Sequence, residues 1–245
     1  MYLQDYLWFL LAIAVCAIFS MYASAKVRGA YKKYGGVFSR SGLSGYDTAV
    51  RLLSAGGVTD ISVGRVSGEL SDHYHPTKKV VNLSDSTYGS RSVAAAAVAA
   101  HEIGHVMQKE NGYFPYRVRT ALVPVVNFGR GLAFPLVLVG LLLDIFYTAA
   151  AETELGFYVA MIGVALYGGS LLFALVTLPV ELDASRRAKR MLLSEGILSP
   201  EEMKGADAVL SAAALTYLAS LLTSLVYFLR FLLYVLSIFG RRSRR

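Results

Sequence analysis

The chain has 245 residues, 55% hydrophobic and only 17% charged, with a mean hydropathy of +0.50. That balance is too apolar for an ordinary soluble domain of this length and predicts an integral membrane protein. The net charge of +7 does not point to nucleic acid, because the bases gather beside apolar segments (Lys26, Arg28, Lys32, Lys33; Arg186, Arg187, Lys189, Arg190; Arg241, Arg242, Arg244, Arg245), and the lone Cys16 excludes a disulfide framework or a cysteine-based metal site.

Residues 6–25 run for twenty positions without a charge, long enough to cross a hydrocarbon core of about 30 Å as a helix. No basic segment precedes them and the bases follow, an order that fits a retained anchor rather than a cleaved leader. Residues 44–55 read as a helix, with Ser44 as its cap and Gly56-Gly57 closing it. Residues 61–66 and 79–83 have strand-like β-branched alternation, and 69–75 supply a strand between them. The resulting small sheet would offer an edge to an extended peptide. The next helix, 92–109, is dominated by alanine, holds no proline and one glycine, and stops at Asn111-Gly112.

Residues 132–151 are a further candidate span, interrupted by Pro135 and by Asp144, which reads either as an intramembrane carboxylate or as a helix-end residue at the outer interface. Residues 157–178 are twenty-two more without a charge. Pro179 then marks a break, after which a new helix opens with Glu181 in its first turn. From 206 to 239 neither glycine nor proline is present to turn a hairpin, so one long helix is expected. Its alanine-rich start, 206–219, suits packing on the polar part of the chain, and 221–239, with Arg230 inside it, suits lying in or on the bilayer.

Five bases stand between residue 26 and Arg40, whereas the connection at 151–156 holds Glu152 and Glu154 and no base. By the positive-inside tendency, 26–130 and 179–205 face the cytoplasm, although the arginine tail at 241–245 runs against this scheme. The expected architecture is a mainly α membrane protein with three to four transmembrane helices and a small cytosolic α+β domain. Its parts are an N-terminal anchor (1–25), a cytosolic part with the sheet and the alanine-rich helix (26–130), a transmembrane hairpin (131–178), a cytosolic helix (179–205) and a long apolar helix with a basic tail (206–245).

The alanine-rich helix ends in His101-Glu102-Ile103-Gly104-His105. Residues four apart share a helix face, so His101 and His105 can bind one metal ion while Glu102 stands beside it to work on a water. The plainer reading is two histidines facing solvent or carboxylates. A catalytic zinc site takes three protein ligands and leaves one position open. The longer pattern H-E-x-x-H-x-x-G-x-x-H fails, since Gln108 and Asn111 occupy its glycine and third histidine. The best later carboxylate is Glu181, whose alternative role is a first-turn acid favoured by the helix dipole. Asp183 competes with it but points to nearly the opposite helix face.

Three segments together carry a resemblance: Ser71-Asp72-His73-Tyr74, Ala99 through His101-Glu102-Ile103-Gly104-His105 to Gln108, and Leu178-Pro179-Val180-Glu181 through Ala188. They resemble the YugP-type neutral zinc metallopeptidases of bacterial membranes, over most of the chain and including the late stretch Ala212-Ala213-Ala214-Leu215-Thr216-Tyr217. The resemblance implies a membrane-embedded gluzincin with a zincin-like catalytic domain, Zn2+ on His101, His105 and Glu181, and Glu102 as the catalytic base. Two positions depart from the pattern: His75 stands where an aspartate is expected, and Ser185 takes the place four residues after the ligand glutamate where the wider group often has an aspartate.

On such a site zinc acidifies water and polarises a peptide carbonyl, and Glu102 moves the proton. The oxyanion asks for a further donor, for which His73, Tyr74 and His75 are the candidates, against their plainer reading as polar residues of the turn at Pro76. The expected function is a zinc endopeptidase acting on membrane-associated or misfolded proteins at the cytoplasmic face of the bacterial inner membrane, with protein or peptide substrates and the lipid bilayer as partners. The alternatives are an intramembrane metalloprotease, which the short alanine run 93–100 does not favour, and a non-catalytic zinc-stabilised adaptor, which would have no use for Glu102.

Overall fold

Long apolar runs become helices here, and the polar signals between them set where each helix ends. The computed structural model of the chain describes residues 2–151 and 155–239. In order, its elements are α1 (Tyr2–Gly35), α2 (Gly45–Ala55), β1 (Ser62–Val66), β2 (His73–His75), β3 (Val80–Ser84), α3 (Asp85–Tyr88), α4 (Val93–Glu110), α5 (Phe114–Ala151), α6 (Leu155–Ser194) and α7 (Met203–Phe239). Glu152, Glu154 and the arginines from Arg241 onward lie outside the described residues, as does the side chain of Asp144.

Helices over Leu7–Gly35, Leu155–Ser194 and Met203–Ser237 are long and apolar enough to cross a membrane. The pair Phe114–Gly129 and Gly131–Leu143 of α5, bent by 46°, adds a fourth if it forms one span. The protein is thus a mainly α membrane protein with a small three-stranded sheet. One sequence expectation needs correction: Pro179 does not break the chain but lies inside α6, as Pro124 and Pro135 lie inside α5. A proline removes a single donor from the helical ladder, whereas ending the helix inside or beside an apolar segment would strand several backbone groups at once. Glu181 is therefore a mid-helix residue, and the first-turn dipole role falls away.

The chain divides into two compact units. The first comprises Met1–Ser20, Arg117–Thr177 and Leu218–Arg245. Within it α5 and α6 meet through small residues: a Cβ on Gly163 would stand 2.6 Å from the Ala133 carbonyl oxygen, and one on Gly140 2.5 Å from the Ala160 nitrogen. Such approach is how helices associate among lipid tails, where apolar burial alone does not favour one helix over the solvent. Arg230 sits over the rings of Phe9 and Tyr234, at 5.2 and 5.7 Å from their centroids, which gives its charge the faces of two π systems.

The second unit comprises Met21–Tyr116 and Leu178–Tyr217. Its sheet has the order β1-β3-β2, with β1 parallel and β2 antiparallel to the central β3, so β2 is an edge. Buried Val81 and Leu83 of β3 join Leu52 and Leu53 of α2, Leu192 of α6 and Leu210 of α7 in one core around α4. Of the 18 residues of α4, 13 are buried, so this is a central helix rather than an amphipathic surface one. Its alanines make that possible by letting neighbours close in on several sides. Its start is fixed by Ser92, whose Oγ accepts from the Ala95 amide, and its end by Asn111 with Gly112 at φ 62°. α2 begins in a reciprocal capping box between Ser44 and Asp47.

In this unit α4 and α6 come into backbone contact at Gly104, where a Cβ would stand 2.6 Å from the Ala184 carbonyl oxygen, an atom that no rotamer change can move. Gly104→Ala is expected to destabilise the metal-free protein by about 1–3 kcal/mol and to lower its zinc affinity, because α4 and α6 must separate. Gly29→Ala, whose Cβ would meet nothing within 4 Å, serves as the control and should be neutral or slightly stabilising. Thermal unfolding in detergent with a chelator present checks both, and equal melting of the two variants would contradict the close-packing account.

Candidate metal centre

α4 and α6 between them bring three ligand-type side chains together. His101 and His105, one helical turn apart, stand edge to face with ring centroids 4.8 Å apart. From α6, Glu181 Oε2 lies 3.1 Å from His101 Nε2 and 3.5 Å from His105 Nε2. One ligand atom from each of the three lies within 4.8 Å of the others, and the Glu181 side chain is only 2% exposed. Ligands at the corners of a tetrahedron around zinc, with bonds of about 2.0–2.1 Å, lie about 3.3 Å apart. The two histidine-to-glutamate separations bracket that value, so the donors present fit a zinc ion, two imidazoles and one carboxylate being a catalytic rather than a closed structural set.

The remaining ring nitrogens are engaged within the protein. His101 Nδ1 is 3.2 Å from Ser185 Oγ, and His105 Nδ1 is 3.0 Å from Gln108 Oε1. Both imidazoles are thereby oriented with Nε2 toward Glu181. Gln108 is fully buried and its Nε2 donates to the Val180 carbonyl at 2.7 Å and to Asp183 Oδ2 at 3.0 Å. Asp183 also accepts from Arg187 Nε at 2.6 Å.

Glu102 is buried beside the three ligand-type side chains, next to the edge strand β2 at Tyr74. Burial raises its pKa to about 7; the nearby charges of Glu181 and Asp72 add to the rise, and His101 opposes it. His101 and Glu102 together line a cavity of about 350 Å³ whose other walls include Leu70, Asp72, Val98, Leu210, Ala213 and Tyr217. Asp72 is fixed there by the amide and hydroxyl of Ser84, each at 2.8 Å. The arrangement therefore offers a candidate ion site, a buried carboxyl beside it and a space for a further group on the same side.

The side chains of β2 go elsewhere. His73 contacts the Ser71 carbonyl at 2.9 Å and Asn82 at 3.1 Å, His75 Nδ1 accepts from the Lys78 amide at 3.3 Å, and the Tyr74 hydroxyl accepts from Lys109 Nζ at 3.3 Å. Burial, with smaller effects from Glu110 and Asp60, pushes the Tyr74 hydroxyl up to about 12. Gln108 figures in the sequence only as a failed glycine, Ser185 only as a missing aspartate and Asp183 only as a rival ligand. Spacing carried a signal for two of them: Gln108 is three residues from His105 and Ser185 four from Glu181, each on the face of its helix that holds the ligand.

Comparison with known proteins agrees with this chemistry. A family described as "Putative neutral zinc metallopeptidase" matches residues 8–236. The chain is 41% identical over 231 residues to "Putative membrane protease YugP" of Bacillus subtilis (strain 168), covering 94% of this chain and 97% of that protein. No solved structure matches.

The raised carboxyl of Glu102 makes a stability prediction. The unfolded chain releases this proton near the ordinary 4.5 and the folded metal-free chain near 7, so between these values the folded state holds more protons. Glu102 thus leaves stability intact below about pH 4.5 and removes on the order of 3 kcal/mol as the pH rises past 7. With chelator present, Glu102→Gln should melt with the parent at pH 4.5 and well above it at pH 8. Parallel melting curves across that range would mean that the folded protein does not hold this proton.

Proposed function

The chain belongs to the neutral zinc metallopeptidase family that matches it over residues 8–236, and we propose that it is a zinc-dependent endopeptidase of gluzincin type with His101, His105 and Glu181 as ligands. The observation that carries this reading is the convergence of Glu181 on both Nε2 atoms, with Glu102 beside them on the wall of a cavity. Zinc, when bound, supplies a Lewis acid that polarises a peptide carbonyl and makes water a nucleophile near neutral pH. Glu102 takes the proton from the attacking water and gives it to the leaving nitrogen, a task suited to a carboxyl whose pKa burial has raised to about 7. The cavity walled by Leu210, Ala213 and Tyr217 seats the substrate residue next to the scissile bond.

The substrates in this reading are membrane-associated or misfolded proteins, cut at the cytoplasmic surface of the bacterial inner membrane. The bases that follow the first apolar run and those that follow Glu181 support that orientation. The burial of α4 in the core of the second unit favours action outside the bilayer over intramembrane cleavage. A zinc-stabilised adaptor is disfavoured by Glu102 itself, since burying a carboxylate without an ion-pair partner is costly and a structural site draws no benefit from it.

Glu102→Gln is expected to retain one equivalent of zinc and to lose proteolysis of an unfolded protein substrate by at least about 100-fold. Undiminished cleavage would exclude Glu102 as the base. Glu181→Ala should lose zinc by elemental analysis, and full metal content would remove Glu181 from the site. Ala213→Trp, which fills the cavity, should raise KM strongly while zinc content stays at the parent level; an unchanged KM would mean that substrate enters by another route.

A further inference from the structure

We propose that Gln108 is a positioning residue for the metal centre. It sets the tautomer of His105 and ties the helix that carries Glu181 to the helix that carries both histidines. The inference rests on the assignment of His101, His105 and Glu181 as zinc ligands.

A carboxamide has one donor end and one acceptor end of nearly the same shape, so its orientation is decided by its partners. Here the donor end is fixed twice over, by the Val180 carbonyl at 2.7 Å and by Asp183 Oδ2 at 3.0 Å, neither of which can donate. A flipped amide would set its oxygen against both. Oε1 must therefore face His105, and because an amide oxygen only accepts, Nδ1 of His105 must carry the hydrogen of the 3.0 Å contact. That leaves the lone pair on Nε2, the atom directed at Glu181.

Two further features make the arrangement specific. Gln108 is fully buried, so water does not stand ready to replace its hydrogen bonds. Asp183 is itself held by Arg187 Nε at 2.6 Å, and the Arg187 guanidinium lies over the Tyr113 ring at 5.7 Å, so the acceptor that orients the amide is anchored in turn. Val180 and Asp183 bracket Glu181 in sequence, so the same amide that orients His105 also fixes the register of α6 at the third ligand. His101 differs: its Nδ1 partner is the Ser185 hydroxyl, which can turn to donate or accept and so follows the imidazole rather than dictating to it.

The test measures zinc dissociation constants of the full chain in detergent by competition with a chromophoric chelator, alongside apo melting temperatures. Gln108→Met, which keeps the volume but not the polar groups, should weaken zinc binding by about 10–100-fold. Gln108→Glu should weaken it too, because an oxygen then faces Asp183 and Val180. Adding Asp183→Asn to Gln108→Glu returns a donor to that oxygen and should recover most of the loss. If the Gln108 variants only lower the melting temperature while the folded protein binds zinc as the parent does, Gln108 is a packing residue and the proposal falls. His105→Ala separates the two levels of the argument. Loss of zinc in that variant with parent-like binding in Gln108→Met overturns the positioning role alone. Parent-like binding in both overturns the ligand assignment.

Discussion

The candidate metal centre depends on two helix backbones coming into contact. Packed helices ordinarily keep their axes about 8–10 Å apart because side chains fill the space between them. At Gly104 there is no side chain, and the Ala184 carbonyl of α6 occupies the place a Cβ would take. Glutamate is a short reach from one helix to another. Only this approach lets Glu181 meet two imidazoles that project from the neighbouring turns of α4. The alanines of α4 extend the same logic along the helix, and the buried amide of Gln108 closes the seam one turn further on.

Four carboxyl groups cluster around this seam, and each is accommodated differently. Asp183 has Arg187 and the Gln108 amide, Asp72 has the amide and hydroxyl of Ser84, and Glu181 has the two imidazoles. For Glu102 burial outweighs the charges around it. A group whose charge is so little compensated exchanges its proton at low cost, which is what general base catalysis asks of it. In the proposed reaction, the uneven distribution of partners separates the acids that hold the site together from the one that would act in it.

Much of this was readable from the residues because it depends on local signals. The caps at Ser44 and Ser92, the stop at Asn111-Gly112 and the alternation of the strands are statements about neighbours in sequence, and the elements formed where those signals stand. Pro179 was misleading for a physical reason: the local preference to end a helix there loses to the demand of a long apolar helix that its backbone stay bonded. Gln108 was least legible. Its role is defined by Val180 and Asp183, more than 70 residues away, and no local property of a glutamine announces such partners.

The motif at the end of α4 is conventionally written with two unspecified positions. In this fold neither is free. Ile103 is fully buried in the core of the second unit, and Gly104 is the point at which a second helix touches the first. The letters that define the pattern hold the chemistry, and the blanks between them hold the geometry that lets a third ligand arrive. A pattern of this kind therefore discriminates better when its blanks are read as well: a bulky residue in the second of them marks a helix that this partner could not approach.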